Sequence, residues 1–304
     1  MLTTIKDKKL TWIDLESPTL EEVASIAKRF SIHPLVTEEL LQPSLRPKVD
    51  VYKNALYLIL HFPVFDPVQR TSISREIDFV IGKNFLITVH YEVIDPLYEL
   101  TKICSVGNEL RDKYSGKHAG FLLFHILHQL YDFSLRELGH IQVKIDHIEK
   151  QIFQGNERQA FREISLVRRD IINFRRSIRL HEAILKSFLI AGEQFFGADF
   201  SPYLNNIIGE YFRVWNWLES TKETAEALQT TNESLLSTKT NEIIKVLTIM
   251  AFITFPLTLI GTIFGMNTDY LPIVGLKGDF WIILGIMITG MIIMLAFFKR
   301  KRWL

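Results

Sequence analysis

The sequence predicts an α+β membrane protein. An N-terminal α/β domain leads into a long helical hairpin. A very long stalk helix then runs into the first of two C-terminal transmembrane helices. Three observations carry this reading. Residues 243–264 and 280–298 are apolar runs in which only Lys245 is charged, and each is close to the roughly 20 residues that a helix needs to cross the hydrocarbon core. Residues 10–89 hold short β-rich runs between helix-like ones. From Asp95-Pro96 to the first apolar run the pattern is helical almost without interruption.

In chain order, residues 10–15, 55–61, 76–81 and 85–89 are rich in β-branched and aromatic residues and read as strands. Thr19 with Glu22 forms a capping box that opens a helix toward Phe30. Pro34 suits the first turn of another helix, because its missing N–H would be unsatisfied there anyway. Gly82-Lys83-Asn84 reads as a hairpin turn. These elements define an α/β domain over residues 1–95.

Residues 96–202 form the helical region. Leu138, Ile141, Ile145, Ile148 and Ile152 recur at three and four residues, and after Gly155-Asn156 the rhythm returns in Phe161, Ile164, Val167, Ile171, Phe174 and Ile178. Two such seams predict an antiparallel hairpin with coiled-coil-like packing. Its second arm is basic, with Arg158, Arg162, Arg168, Arg169, Arg175, Arg176 and Arg179, which reads as a solvated face. After the break at 197–202, residues 203–264 hold one glycine before the span and no proline before Pro256. One helix through that stretch would be about 90 Å long. An outer loop at 265–279, the second span at 280–298 and a basic tail at 299–304 complete the chain.

Lys+Arg (35) and Asp+Glu (34) nearly balance, so net charge points to no nucleic-acid partner. Local charge is more informative. Lys299-Arg300-Lys301-Arg302 follows the second span, and the positive-inside rule then puts both termini in the cytoplasm. Residues 1–10 lack the apolar core of a signal peptide. Cys104 is the only cysteine, which excludes intrachain disulfides and cysteine-based zinc sites.

In a heptad frame, Asn241, Thr248, Phe255 and Thr262 share one position of the first span, and Ile244, Ala251, Thr258 and Gly265 fall three residues later. The stripe is mostly small or hydroxylic, with Ile244 and Phe255 interrupting it. Polar groups at membrane depth are tolerated where they face a cavity or each other. Two uses share this composition: lining a water-filled path between several copies, or letting helices pack closely. Either makes the first span the inner, self-associating helix, with the second facing lipid.

At Gly265-Met266-Asn267 the chain resembles the CorA family of divalent-cation channels, in which Gly-Met-Asn closes the first of two C-terminal spans. Pro256-Leu257-Thr258, Tyr270-Leu271-Pro272 and the terminal Lys-Arg-Lys-Arg-Trp-Leu accompany it. So do Trp12-Ile13-Asp14-Leu15, His33-Pro34-Leu35, Arg46-Pro47-Lys48, Tyr52 and Thr88-Val89-His90, so the similarity runs the length of the chain in order. The resemblance implies a homopentamer in the inner (plasma) membrane that passes magnesium, with cobalt or nickel as further cargo. It implies that Gly265, Met266 and Asn267 select the ion. Asn241, Thr248, Ala251, Thr258 and Thr262 would line the pore with the bulkier Ile244, Leu247 and Phe255. It also implies a regulatory magnesium bound between cytosolic domains, for which Glu92 and Asp95 are the candidates, beside the reading of both as solvated loop residues.

Two departures stand out. Family members often carry glutamate one residue after the outer-loop proline, where this chain has Ile273, leaving Asp269 as the acidic residue near the motif. The hairpin also lacks the dense acidic clusters seen in some members. A proton-coupled zinc transporter of the same superfamily is the nearest alternative, and His125, His128 and Asp132 have zinc-ligand spacing on a helix, as structural or surface histidines also do. Those relatives tend to replace the motif methionine. A non-conducting membrane-anchored sensor is the other alternative. No HExxH motif, nucleophile elbow or phosphate loop points to an enzyme.

Overall fold

The structure, a computed structural model, describes residues 2–6, 10–44, 46–106, 117–268, 271–301 and 303. Its elements run β1 (Leu2–Lys6), β2 (Thr11–Glu16), α1 (Leu20–Phe30), α2 (Pro34–Glu39), β3 (Lys48–Val51), β4 (Leu56–Asp66), β5 (Thr71–Ile81) and β6 (Phe85–His90). The helices α3 (Asp95–Val106), α4 (Ala119–Phe153), α5 (Glu157–Ile178), α6 (His181–Phe196), α7 (Ser201–Phe264) and α8 (Asp279–Arg300) follow. They divide into two compact units, Met1–Gln229 and Thr230–Leu304. The first unit therefore extends past the break expected at residue 95.

The sheet of the first unit has the order β1-β2-β6-β5-β4-β3. β2 and β6 are parallel, Trp12 opposite Leu86 and Asp14 opposite Thr88, and the remaining pairs are antiparallel. Strand periodicity sorts the side chains. Ile13, Leu15, Tyr57, Ile59, Val80, Ile87 and Val89 share one face and pack with Val23 and Ile26 of α1 and Val36 of α2. The alternate residues face the other side, where Phe62 meets the rings of Tyr131 (5.4 Å) and His181 (5.2 Å) from α4 and α6. With both faces covered, β4 reads as a nearly unbroken apolar run.

Local signals account for the joints. Thr19 and Glu22 exchange both bonds of the capping box. His33 Nδ1 accepts from the Leu35 N–H at 3.3 Å, with Pro34 opening α2, and the His33 ring stacks on Tyr52. Residues 82–84 join the antiparallel β5 and β6, and the Gly82 N–H donates to the Phe85 carbonyl. The family-like residues of β2 and β6 form one buried network. Trp12 Nε1 donates to Thr88 Oγ1 at 3.0 Å, Thr88 donates to Asp14, and His90 Nε2 lies 3.4 Å from Asp14 Oδ2.

Two expectations change. β1 and β3 are edge strands that the sequence reading left unassigned, being short and partly polar. In α5 the seam starts at the fully buried Ala160, while Phe161 is 47% exposed. Ile164, Val167, Ile171, Phe174 and Ile178 are buried as expected, opposite Leu138, Ile141, Ile145, Ile148 and Ile152 of α4.

Within the first unit α7 buries Leu204, Ile207, Tyr211, Val214, Leu218, Thr221, Ala225 and Leu228, a seam of alternating threes and fours. Gly197, at φ 100°, and the 3₁₀ turn Ala198–Phe200 set its start. A Cβ is disfavoured at that φ, so glycine suits the bend.

Candidate ion-conducting site

The second unit holds the part of α7 from Thr230 together with α8, and both helices are long and apolar enough to cross a membrane. Counting on by threes and fours from the seam of α7 reaches Ile249, Ile253, Pro256 and Ile260. Ile249 is buried and the other three are half-buried. About 70° round the helix from these residues, the Phe252 ring meets Phe298 of α8 at 6.4 Å, and Phe298 stacks on Trp303.

The expected pore stripe occupies the opposite side. At about 100° per residue its mean direction is roughly 150° from that of Ile249, Ile253, Pro256 and Ile260. Asn241, Ile244, Ala251, Phe255, Thr258 and Thr262 are exposed, Leu247 likewise, and Thr248 is half-buried. Within residues 241–264 Ile249 is the one buried residue, and every stripe residue but Thr248 is exposed.

The hydroxyls on this helix bond back to their own backbone. Thr254 and Thr258 donate to the carbonyls of Met250 and Thr254, each at 2.9 Å, and Thr262 donates to Leu259 at 2.9 Å. A threonine that spends its proton this way is satisfied within the helix and keeps oxygen lone pairs for whatever faces it. Pro256 lies inside the helix and supplies no N–H, so one rung of the ladder is missing there.

α7 ends at Phe264. The Gly265 N–H donates to Gly261 at 3.0 Å and the Met266 N–H to Ile263 at 3.3 Å. A Cβ on Gly265 would sit 3.1 Å from the Gly261 carbonyl oxygen, so the turn closes most easily around glycine. Met266 and Asn267 follow, both exposed. Asp269 lies outside the described residues. Ile273 takes φ 80°, an unusual conformation for a β-branched residue. Asp279 ties the loop to α8 by accepting from Gly275 at 3.1 Å and from Phe280 at 2.7 Å.

The regulatory candidates sit in the first unit. Glu92 is half-exposed and paired with Arg75, whereas Asp95 is exposed at the start of α3. Glu92 therefore already has a cation.

His128 and Asp132 of α4 come together with Glu210 of α7, and His125 is not part of this group. The His128 ring lies between two carboxylates, with Nε2 3.4 Å from Asp132 and Nδ1 3.4 Å from Glu210. Arg213 pairs with both acids. A guanidinium thus occupies the place of a cation, and the two ring nitrogens point at different partners, an arrangement poor for one shared metal ion. Sequence spacing shows His128 and Asp132, but Glu210 is 78 positions beyond Asp132 and only the fold brings it there.

An α/β unit followed by two membrane-length helices is the architecture of an integral membrane protein. The family profile described as "CorA-like Mg2+ transporter protein" matches residues 7–300. The chain belongs to this family. It is 27% identical over 298 residues to the cobalt/magnesium transport protein CorA of Thermotoga maritima, covering 97% of this chain and 83% of that one. Against the cobalt/magnesium transport protein CorA of Methanocaldococcus jannaschii it is 24% identical, covering 99% and 93%. The complete structure of the Methanocaldococcus jannaschii CorA magnesium transporter superposes with a TM-score of 0.86 at 22% identity, over 99% of this chain and 94% of that chain. The matches are to transporters, and the family assignment places this chain among them and not among enzymes.

Proposed function

We propose that the chain assembles as a homopentameric channel for passive magnesium influx, in the inner membrane, with both termini cytoplasmic. The bare stripe from Asn241 to Thr262 lines the path, and Leu247 adds to its constrictions. Gly265, Met266 and Asn267 form the outer mouth. Cobalt and nickel are the further cargo of this reading. The observation that carries it is the exposed polar stripe, set opposite the side of Ile249, Ile253 and Ile260, in a member of a magnesium-transporter family.

The chemistry fits a hydrated ion. Magnesium dehydrates reluctantly and usually keeps several waters. Five copies of Asn267 present neutral amide oxygens that hydrogen-bond those waters without stripping them. Conduction needs binding weak enough for release, and a neutral ring meets that condition. Rings of Ile244, Leu247 and Phe255 close such a path by dewetting. The membrane potential supplies the drive, about 4.6 kcal/mol per divalent ion at 100 mV.

Gating belongs to the same proposal. Magnesium between cytosolic units holds the pore shut, with Asp95 the freer carboxylate and Glu92 available once Arg75 releases it. Voltage-driven magnesium flux into proteoliposomes tests the whole reading. Asn267→Ala, with its oligomer intact, is expected to lose at least about tenfold of the flux, the scale of about 1.4 kcal/mol at the selecting step. Undiminished flux would overturn the role of Asn267, and no magnesium flux in the unaltered chain would overturn the channel.

A further inference from the structure

The basic second arm of the hairpin carries charge that its own packing does not use. Arg168, Arg175 and Arg176 of α5, with Arg179 at its C-terminal end, line one side of a cavity of about 380 Å³, and Lys222 of α7 lines the other. Five cations thus border it with one lining carboxylate, Glu226, and Arg176 and Arg179 also border a second cavity lined by Glu76 and Glu92. All of these residues lie in the N-terminal unit.

Three of the cations have partners. Arg175 donates to Glu219 at 2.7 Å and lies over the Trp215 ring. Lys222 is 3.9 Å from Glu219 and 3.8 Å from Glu226. Arg168 donates to Gln229, which is uncharged. The guanidinium groups of Arg176 and Arg179 are exposed and have no hydrogen-bond or ion-pair partner among the described residues.

Positions 168, 175, 176 and 179 fall within an arc of about 100°, at the 3.6-residue period, and border the same cavity. The half-exposed Ile172 supplies apolar surface in the same cavity, over the buried Ile171 and Ala225. Like charges gathered in a concave site with low-dielectric walls raise the local potential and draw in an anion. The guanidinium fork matches phosphate oxygens in pairs. The volume falls within the range of about 300–1,000 Å³ typical of small-molecule sites.

We infer that this cavity binds a polyphosphate anion of the nucleoside-triphosphate class. Arg176 and Arg179 grip the phosphates, Arg168 and Lys222 flank them, and the base lies against Ile172. The bound ligand bridges α5 and α7. The inference rests on the proposed function only for placing this unit in the cytosol, and binding is measured without flux.

The test is equilibrium binding of magnesium-free ATP to the full chain in detergent at about 0.15 M salt, where loose surface attraction is screened. Saturable binding at one site per chain is expected. The double variant Arg176→Ala/Arg179→Ala should weaken it about tenfold or more, because two charge-assisted bonds are lost. Arg158→Ala/Arg162→Ala removes the same charge from outside the cavity and should change affinity less than about twofold. Inorganic tripolyphosphate should compete, but more weakly than ATP. Absent saturable ATP binding, or an equal loss in both double variants, would overturn the site. Equal affinity for tripolyphosphate would overturn the seating of the base. Unchanged thermal unfolding of the variants guards against misfolding.

Discussion

Compare the hairpin with the first span. Both repeat apolar residues at threes and fours, yet Ile145 and Ile148 are 1–2% exposed while Leu247 is 60% and Phe255 72% exposed. In the N-terminal unit each apolar stripe meets another stripe from the same chain, and α4 covers α5. In the C-terminal unit the Phe252 ring of α7 meets Phe298 of α8, and most of the span stays exposed. Periodicity reveals that a face will be covered, but not by what. The bare faces of the second unit are left for lipid and, in the proposed assembly, for other copies.

The comparison breaks most visibly if a covered position proves tolerant. Phe174, fully buried in α5, is expected to cost about 3–5 kcal/mol on Phe174→Ala, because a cavity remains where the ring was. Chemical unfolding of the detergent-solubilised chain, followed through its far-ultraviolet signal, checks this. A cost below about 1 kcal/mol would mean that the hairpin seam is loosely packed.

A buried titrating group sharpens the contrast next. His181 is fully buried, its Nδ1 2.8 Å from the Tyr131 hydroxyl, and burial lowers its pKa to about 3. The unfolded chain takes up this proton near pH 6.5, before the folded one does. His181 therefore adds stability above that pH and loses it as pH falls toward 3. Between pH 6.5 and 5 the loss is about 2 kcal/mol. Asp78 acts in the opposite sense: burial, then the neighbouring Glu76, raise its pKa, so it favours the fold at lower pH. The difference between the unaltered chain and His181→Gln isolates the histidine. Parallel pH profiles for the two would contradict the assignment.

At a surface joint the effect is smaller. Thr19→Ala removes one half of a capping box at the start of α1 and should cost about 1 kcal/mol. Smallest of all, Phe255→Ala should alter unfolding of the N-terminal unit by less than about 0.5 kcal/mol. The same change should raise resting flux, since it opens a bulky ring of the proposed path.

Much of the fold was legible because its signals are local. Thr19 with Glu22, Pro34, and the turn at Gly82 each act within four residues, and the two spans show themselves by length. What stayed hidden depends on distant partners. β1 is stabilised by pairing Leu2 with Leu15 and Lys6 with Thr11, and β3 by pairing Lys48 with Ile59. Neither strand is apolar enough to show by itself. Phe161 and Ala160 both fit a helical seam, and only the facing arm decides which is buried. The site divides the same way. The stripe on the first span followed from spacing, whereas the Arg75 partner of Glu92 and the approach of Glu210 to His128 required the fold.

The central claim is that the bare face of the first span meets water in the membrane and the side of Ile249, Ile253 and Ile260 does not. Cys104 is buried and the only cysteine, so single cysteines can be read against a quiet background. Thr248→Cys, Phe255→Cys, Thr258→Cys and Thr262→Cys would be compared with Ile249→Cys, Ile253→Cys and Ile260→Cys in proteoliposomes, using a charged, membrane-impermeant thiol reagent. The account predicts reaction at the first four positions, loss of magnesium flux on modifying Thr258→Cys, and protection at the last three. Protection of the first four with reaction of the others, or equal reaction at all seven, would contradict it.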